Sequence, residues 1–209
     1  PLGGVGLHPP PLPVGRGHDP IPWTILLDMA ASAVSLIRLA PGMQVGDLLA
    51  RQWFPVPEDV TATDLWSTIS RLQADLLTAH LPAVVDGAAQ AVPLDGHGSF
   101  WPPLEADAAM VRWSDPGAQI VRVARAFADP FQGAYGFVDG TKLTLVECEV
   151  GIRTFPATPP GVVAEGGGVG AGDGTTVALS SVRVDDGPTV PAAHLTTDLL
   201  KPGRMFDAT

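Results

Sequence analysis

One cysteine, Cys148, in a chain of 209 residues excludes a disulfide framework, and a lone thiol in an apolar run reads as packing. Charge is sparse, at 16% of residues, and unbalanced: 22 acids stand against 12 bases, a net charge of −10. Nucleic-acid binders use Lys and Arg to displace counterions from phosphate, and neither half of this chain has them in excess. Residues 1–104 hold 4 Arg against 9 acids, and residues 105–209 hold 8 bases against 13 acids. The expectation from charge is that tRNA and other nucleic acids are not partners. Long apolar runs are also missing. A bilayer span needs roughly 20 residues, and the best candidate, 25–39, is interrupted by Asp28, Ser32, Ser35 and Arg38. No basic stretch followed by an apolar one marks a secretion signal. The expected setting is the reducing cytoplasm, with no membrane partner. The 5 His residues and the one Cys are scattered without ligand spacing, so no metal site is expected.

Glycine (24) and proline (22) are plentiful, and 45% of the chain is hydrophobic. Residues 2–8 read as a buried strand, and four prolines near His8 enforce a loop through Gly17. Pro22 and Trp23 open a short helix. Residues 33–39 and 47–54 read as further strands, expected to form a parallel sheet that needs cover on both faces. Thr61-Ala-Thr-Asp64 has capping-box form, and Leu65, Ile69, Leu72 and Leu76 follow at helical spacing to about His80. Beyond Pro116 another helix is expected, then a hairpin about Asp139-Gly140, strands at 161–164 and 175–184, and a last helix over 192–200. The fold class is therefore α/β over 1–88, a linker over 89–104, and an open five- or six-stranded OB-like barrel over 105–209. The run 166–174 superficially evokes a phosphate loop. A strand rather than a helix follows it, so a flexible hairpin loop is expected.

The run Pro1-Leu-Gly-Gly-Val-Gly-Leu-His8-Pro, with Leu12-Pro13, Arg16-Gly17, Pro20 and Trp23, resembles the active-site loop of formyltransferases that use 10-formyltetrahydrofolate. Methionyl-tRNA formyltransferase and the sugar N-formyltransferases share that loop, and Pro20-Ile-Pro-Trp23 leans toward the sugar enzymes. Val34-Ser35 through Gly42, Gly46 and Asp47 resembles the next strand and turn of the family. Val111-Arg-Trp-Ser114, Arg125-Ala-Phe127, Gly133-Ala-Tyr135 and Leu143 are similar to the start of its C-terminal domain, and Leu200-Lys-Pro-Gly-Arg204 to its end. The resemblance implies a partial Rossmann-like catalytic domain, a formyl-donating folate and no metal.

It also implies a catalytic set in which this chain departs from the family. A His and an Asn stabilise the developing oxyanion, and an Asp helps the attacking amine lose its proton. His8 stands at the His position. Gly6 stands where the Asn belongs, and Gln44 where the Asp belongs. Losing one oxyanion donor costs about 10²–10³ in rate. His18 and Asp19 could supply a relocated acid/base pair. Arg16 could bind a substrate phosphate or carboxylate, or tie the loop down through backbone carbonyls, and Trp23 completes the candidate substrate contacts. Three readings stay open: formyl transfer to a small amine such as an amino sugar, a repurposed enzyme with folate-independent chemistry, and a non-catalytic partner subunit. The family's sheet begins before the His8 strand. The expectation is that an N-terminal segment, another chain or a twin subunit completes it.

Overall fold

The run 31–38 is apolar or small at nearly every position and needs cover on both faces; the first unit is built around it. The computed structural model describes residues 3–94, 97–153 and 156–207 and divides into Pro1–Glu105 and Ala106–Thr209. The first unit contains β1 (Val5–His8), β2 (Arg16–Gly17), α1 (Pro20–Leu26), β3 (Ala31–Arg38), β4 (Leu48–Pro55), α2 (Ala62–Val85) and β5 (Phe100–Trp101). Leu2, expected in the first strand, lies outside the described residues.

The sheet order is β1-β3-β4 and both pairings are antiparallel, with His8 opposite Ser35 and Val34 opposite Gln52. The expected parallel sheet is thus corrected. The connection from β3 to β4, residues 39–47, is too short for a parallel crossover, whereas the one from β1 to β3, residues 9–30 with α1 inside it, is long enough for either direction and returns antiparallel. All six residues from Ser32 to Ile37 are buried. Helix α2 packs on β3 and β4. The loop after β1 covers Ser35, whose hydroxyl donates to Pro10 O at 3.2 Å. Both faces of β3 are therefore covered from within the unit, and β1 and β4 are the outer strands of the three. The capping box forms as expected: Thr61 Oγ1 accepts from Asp64 N at 3.2 Å, and the Asp64 carboxylate accepts from Thr61 N at 3.4 Å. The helix continues past His80 to Val85 with Pro82 inside it.

The second unit holds α3 (Gly117–Ala126), β6 (Ala134–Val138), β7 (Thr141–Arg153), β8 (Gly168–Gly170), β9 (Thr175–Val184) and β10 (Thr189–Pro191), followed by a 3-10 turn over Ala192–Leu195. The last helix is thus a single short turn. Its five strands form one antiparallel sheet, β10-β9-β7-β6, with β8 on the same edge of β9 as β10. Among the described residues the sheet is open and five-stranded, a half-barrel, as expected in strand number and openness. Register shifts along β7 at 145/147, 147/148 and 150/153 bend it over the core of Val111, Ile120, Leu143, Leu145 and Val177. Residues 161–164 make only isolated bridges, Val162 to Met205 and Val163 to Val169.

The glycine run 166–174 is not the flexible loop expected of it. Gly168–Gly170 is a buried strand, and a Cβ on Gly170 or Gly172 would overlap the carbonyl oxygens of Pro159 or Ser114. Close backbone approach, rather than freedom, explains these glycines. Asp173 closes the run: its Oδ1 accepts from the Thr175 hydroxyl at 2.7 Å, from Thr175 N at 3.1 Å and from Gly117 N, the first of α3, at 3.4 Å. The Thr175 hydroxyl bond, ahead of the backbone donors, holds the Asp173 carboxyl below its ordinary range. A depressed folded-state pKa stabilises the fold above the unfolded aspartate value and ceases to do so as pH falls through the folded value. Asp173→Ala should lower the melting temperature by about 2 °C at pH 7. Differential scanning calorimetry at successively lower pH should show that deficit shrinking.

Candidate active site

His8 ends β1 as a buried residue, 8% exposed, and among the described residues its ring's one hydrogen bond joins Nε2 to Gly15 O at 3.0 Å. A carbonyl oxygen only accepts, so Nε2 carries the proton. Burial lowers the His8 pKa, and the bond to Gly15 opposes that shift more weakly. The imidazole is thus neutral at pH 7, with Nε2–H spent on the loop and Nδ1 bare.

Gln44 braces the same loop. Its backbone sits in the left-handed region, φ 50°, at the tip of the β3–β4 connection. Its Oε1 accepts from Gly17 N and its carbonyl from Arg16 Nε, each at 3.0 Å. With Oε1 held, the amide nitrogen keeps its N–H donors outside that bond. Arg51, on β4, adds a hydrogen bond from Nη2 to Leu12 O.

Gly6 is not an open position. A Cβ there would lie 2.8 Å from Leu39 Cδ2, so an Asn at 6 requires the half-exposed Leu39 side chain to move. Arg16, His18, Asp19 and Trp23 lie together on the stretch that follows. Arg16 Nε is occupied by Gln44. The Asp19 carboxylate accepts from Leu104 N at 2.9 Å, and Trp23 Nε1 donates to Pro102 O at 2.9 Å. His18 is exposed; its backbone N–H donates to Trp101 O at 3.0 Å, and its ring makes no bond with Asp19.

Sequence reasoning missed the segment 98–104, which it placed in a linker. β5 pairs parallel with β2, Arg16 opposite Phe100 and Gly17 opposite Trp101. Ser99 accepts twice, from Gly15 N at its hydroxyl (2.9 Å) and from Arg16 N at its carbonyl (3.0 Å). Phe100-Trp101 among prolines and glycines was the available signal: bulky aromatics there indicate docking. Asp95 and Gly96 of that stretch lie outside the described residues. Elsewhere, burial pushes the Cys148 thiol up to about 12, with Arg125 opposing weakly, which leaves it unfit as a nucleophile. Among the described residues no group of three or more His, Cys, Asp or Glu is placed to hold a metal ion, and no helix is long and apolar enough to cross a membrane.

Comparison with known proteins gives this loop its context. A model of the formyl transferase C-terminal domain matches residues 103–198. The methionyl-tRNA formyltransferase of Roseiflexus castenholzii is 32% identical over 197 residues, 92% of this chain and 62% of the relative. That of a Roseiflexus species is 31% identical over 214 residues, 100% of this chain and 65% of the relative. The chain therefore spans less than two thirds of the length of either. In fold it is similar to HypX from Aquifex aeolicus, solved with tetrahydrofolic acid, at TM-score 0.73 and 22% identity over 94% of this chain and 35% of that one. It is also similar to WlaRD, a sugar 3N-formyl transferase solved with dTDP and 5-N-formyl-THF, at TM-score 0.66 and 14% identity over 88% and 66%.

These relatives overturn one expectation. A net charge of −10 argues against tRNA as a partner, yet the curated relatives are named for methionyl-tRNA. Net charge sums a whole chain, whereas an RNA contact depends on a local patch and on all of the protein that surrounds it. The sum over part of a relative's length is not a measure of that patch. From the loop at His8 to Lys201-Pro-Gly-Arg204, the chain belongs to the folate-dependent formyltransferase family.

Proposed function

We propose that this protein transfers a formyl group from 10-formyltetrahydrofolate to a primary amine, with His8 as proton acceptor and Gln44 as hydrogen-bond donor. The observation that carries the reading is the bond from His8 Nε2–H to Gly15 O, which leaves Nδ1 as the ring's free acceptor. The resemblance implied that the histidine polarises the formyl oxygen. A neutral ring whose one N–H is committed has no donor for that task, but its bare nitrogen can take the proton an attacking amine must lose. Gln44 cannot accept that proton, but its amide N–H groups can meet the negative charge that develops on a formyl oxygen. The two residues thus exchange duties relative to the family pattern, in which the residue at position 44 accepts the proton.

The residues present fit the one-carbon end of the folate: one N–H donor and one ring acceptor, braced on a loop with several backbone ties. Bound there, the folate would supply the electrophilic formyl carbon. The relatives' names support the α-amine of methionyl-tRNA as acceptor. The run Pro20-Ile-Pro-Trp23, with its leaning to sugar enzymes, supports an amino sugar as the second candidate.

Incubation of the full-length protein with 10-formyltetrahydrofolate and each acceptor, read by mass spectrometry, should give a product 28 Da heavier, the mass of a formyl group replacing hydrogen. No product from either acceptor would favour folate-independent chemistry or a non-catalytic subunit. His8→Ala should lower kcat by about 10²–10⁴-fold, and Gln44→Ala by about 10²-fold, in steady-state kinetics. A Gln44→Ala variant with unchanged kcat would remove the donor role. A stability measurement tests the neutral His8 independently of turnover. Its lowered folded-state pKa contributes stability fully present above the unfolded histidine value and lost as pH falls through the folded value. Urea denaturation at pH 7 and pH 5 should show a loss of stability in the wild type that is smaller in His8→Gln.

A further inference from the structure

The peptide unit that joins Gly15 to Arg16 is held at both ends. Its C=O accepts a hydrogen bond from His8 Nε2 at 3.0 Å, and its N–H donates to Ser99 O at 3.0 Å. One bond further back, Gly15 N donates to Ser99 Oγ at 2.9 Å. Gly15 sits at φ 76°, and a Cβ there would overlap Pro10 Cγ, so this position must be glycine. A glycine has no side chain to fix its orientation. What fixes this one is the hydrogen bonds on its two sides. Two of the three come from Ser99, across 84 residues of sequence.

We propose that Ser99 is a positioning residue for His8: by holding Gly15 and the 15–16 peptide it aims the Gly15 carbonyl at Nε2 and so selects the ring tautomer with Nδ1 bare. Ser99 itself is exposed, and its hydrogen bonds go to the loop backbone at Gly15 and Arg16. The hydroxyl is the separable part of the device. Ser99→Ala keeps the backbone carbonyl bond to Arg16 N and the β2–β5 pairing and removes only the Gly15 N–H acceptor. Burial of the neutral ring is left intact, so a change in His8 can be traced to the aim of one carbonyl. The neighbouring ties, Gln44 to Gly17 and Asp19 to Leu104, do not reach Gly15 and cannot replace the lost bond. The proposal rests on the formyl-transfer reading only in naming His8 as the group that meets the reacting amine.

The test reads the ring directly. Long-range nitrogen-proton NMR of the ¹⁵N-labelled full-length protein, with His8 assigned by its disappearance in His8→Gln, reports each ring nitrogen as protonated or bare. In the wild type at pH 7.5 the two His8 nitrogens should lie far apart, Nε2 protonated and Nδ1 bare. In Ser99→Ala they should move toward each other as the tautomers average, and Ser99→Thr, which restores a hydroxyl, should return the wild-type separation. Ser99→Cys, of similar volume and a poorer acceptor, should fall between, and it replaces the alanine variant if that one does not fold. A wild-type ring protonated at Nδ1 overturns the proposal, as does a Ser99→Ala spectrum identical to the wild type. With the acceptor that proves active, Ser99→Ala should lower kcat about tenfold with KM unchanged; a change in KM alone also overturns it. If neither acceptor is formylated, the formyl-transfer reading fails while the NMR arm still decides the role of Ser99.

Discussion

The Nε2–H of His8 is committed to the carbonyl of Gly15, and much of the site follows from that one bond. A buried imidazole with a carbonyl on one nitrogen is a neutral ring with one face fixed, so it acts through the other nitrogen or not at all. For the bond to persist, the Pro-rich loop must return over β1 with Gly15 in a left-handed conformation. The loop in turn covers Ser35 of β3, which lets a three-stranded antiparallel sheet bury its central strand on both faces. Loop, sheet and the placement of the His8 ring therefore depend on one another.

The loop, in which only Val14 is exposed, has several holders. Gln44, Arg51, Ser99 and the β5 backbone all bind it from other parts of the first unit. Rigid placement of this kind serves an enzyme better than a binding module that adapts to its partner, because a displacement of about 1 Å can cost about 10² in rate. The same economy explains why Arg16, Asp19 and Trp23, polar residues beside the histidine, spend their bonding groups on backbone partners.

Local signals in the sequence were legible where local chemistry decides structure. The capping box at Thr61 and Asp64, the Asp139-Gly140 hairpin between β6 and β7, and the helix after Pro116 all form where their residues indicate. What was hidden is long-range. Strand direction in the first sheet depends on how the connections run, which apolar content does not encode. The glycines at 168–172 resemble a linker until the opposing carbonyls of Pro159 and Ser114 are known. Leu39 beside Gly6 and Ser99 beside Gly15 are likewise pairs that only folding brings together. The acidic composition misled for a different reason: it is a property of a sum, and recognition is a property of a place.

The central claim is that His8 works as a neutral ring that accepts a proton. The measurement that reaches it most directly is the pH dependence of single-turnover formyl transfer by the full-length protein, with folate and acceptor saturating. The account predicts a rate constant flat through neutral pH that falls with a single ionisation below the ordinary histidine value, an ionisation absent from His8→Ala. A rate that instead rises as pH falls through that range would mean that the protonated ring is the active form, and would contradict it.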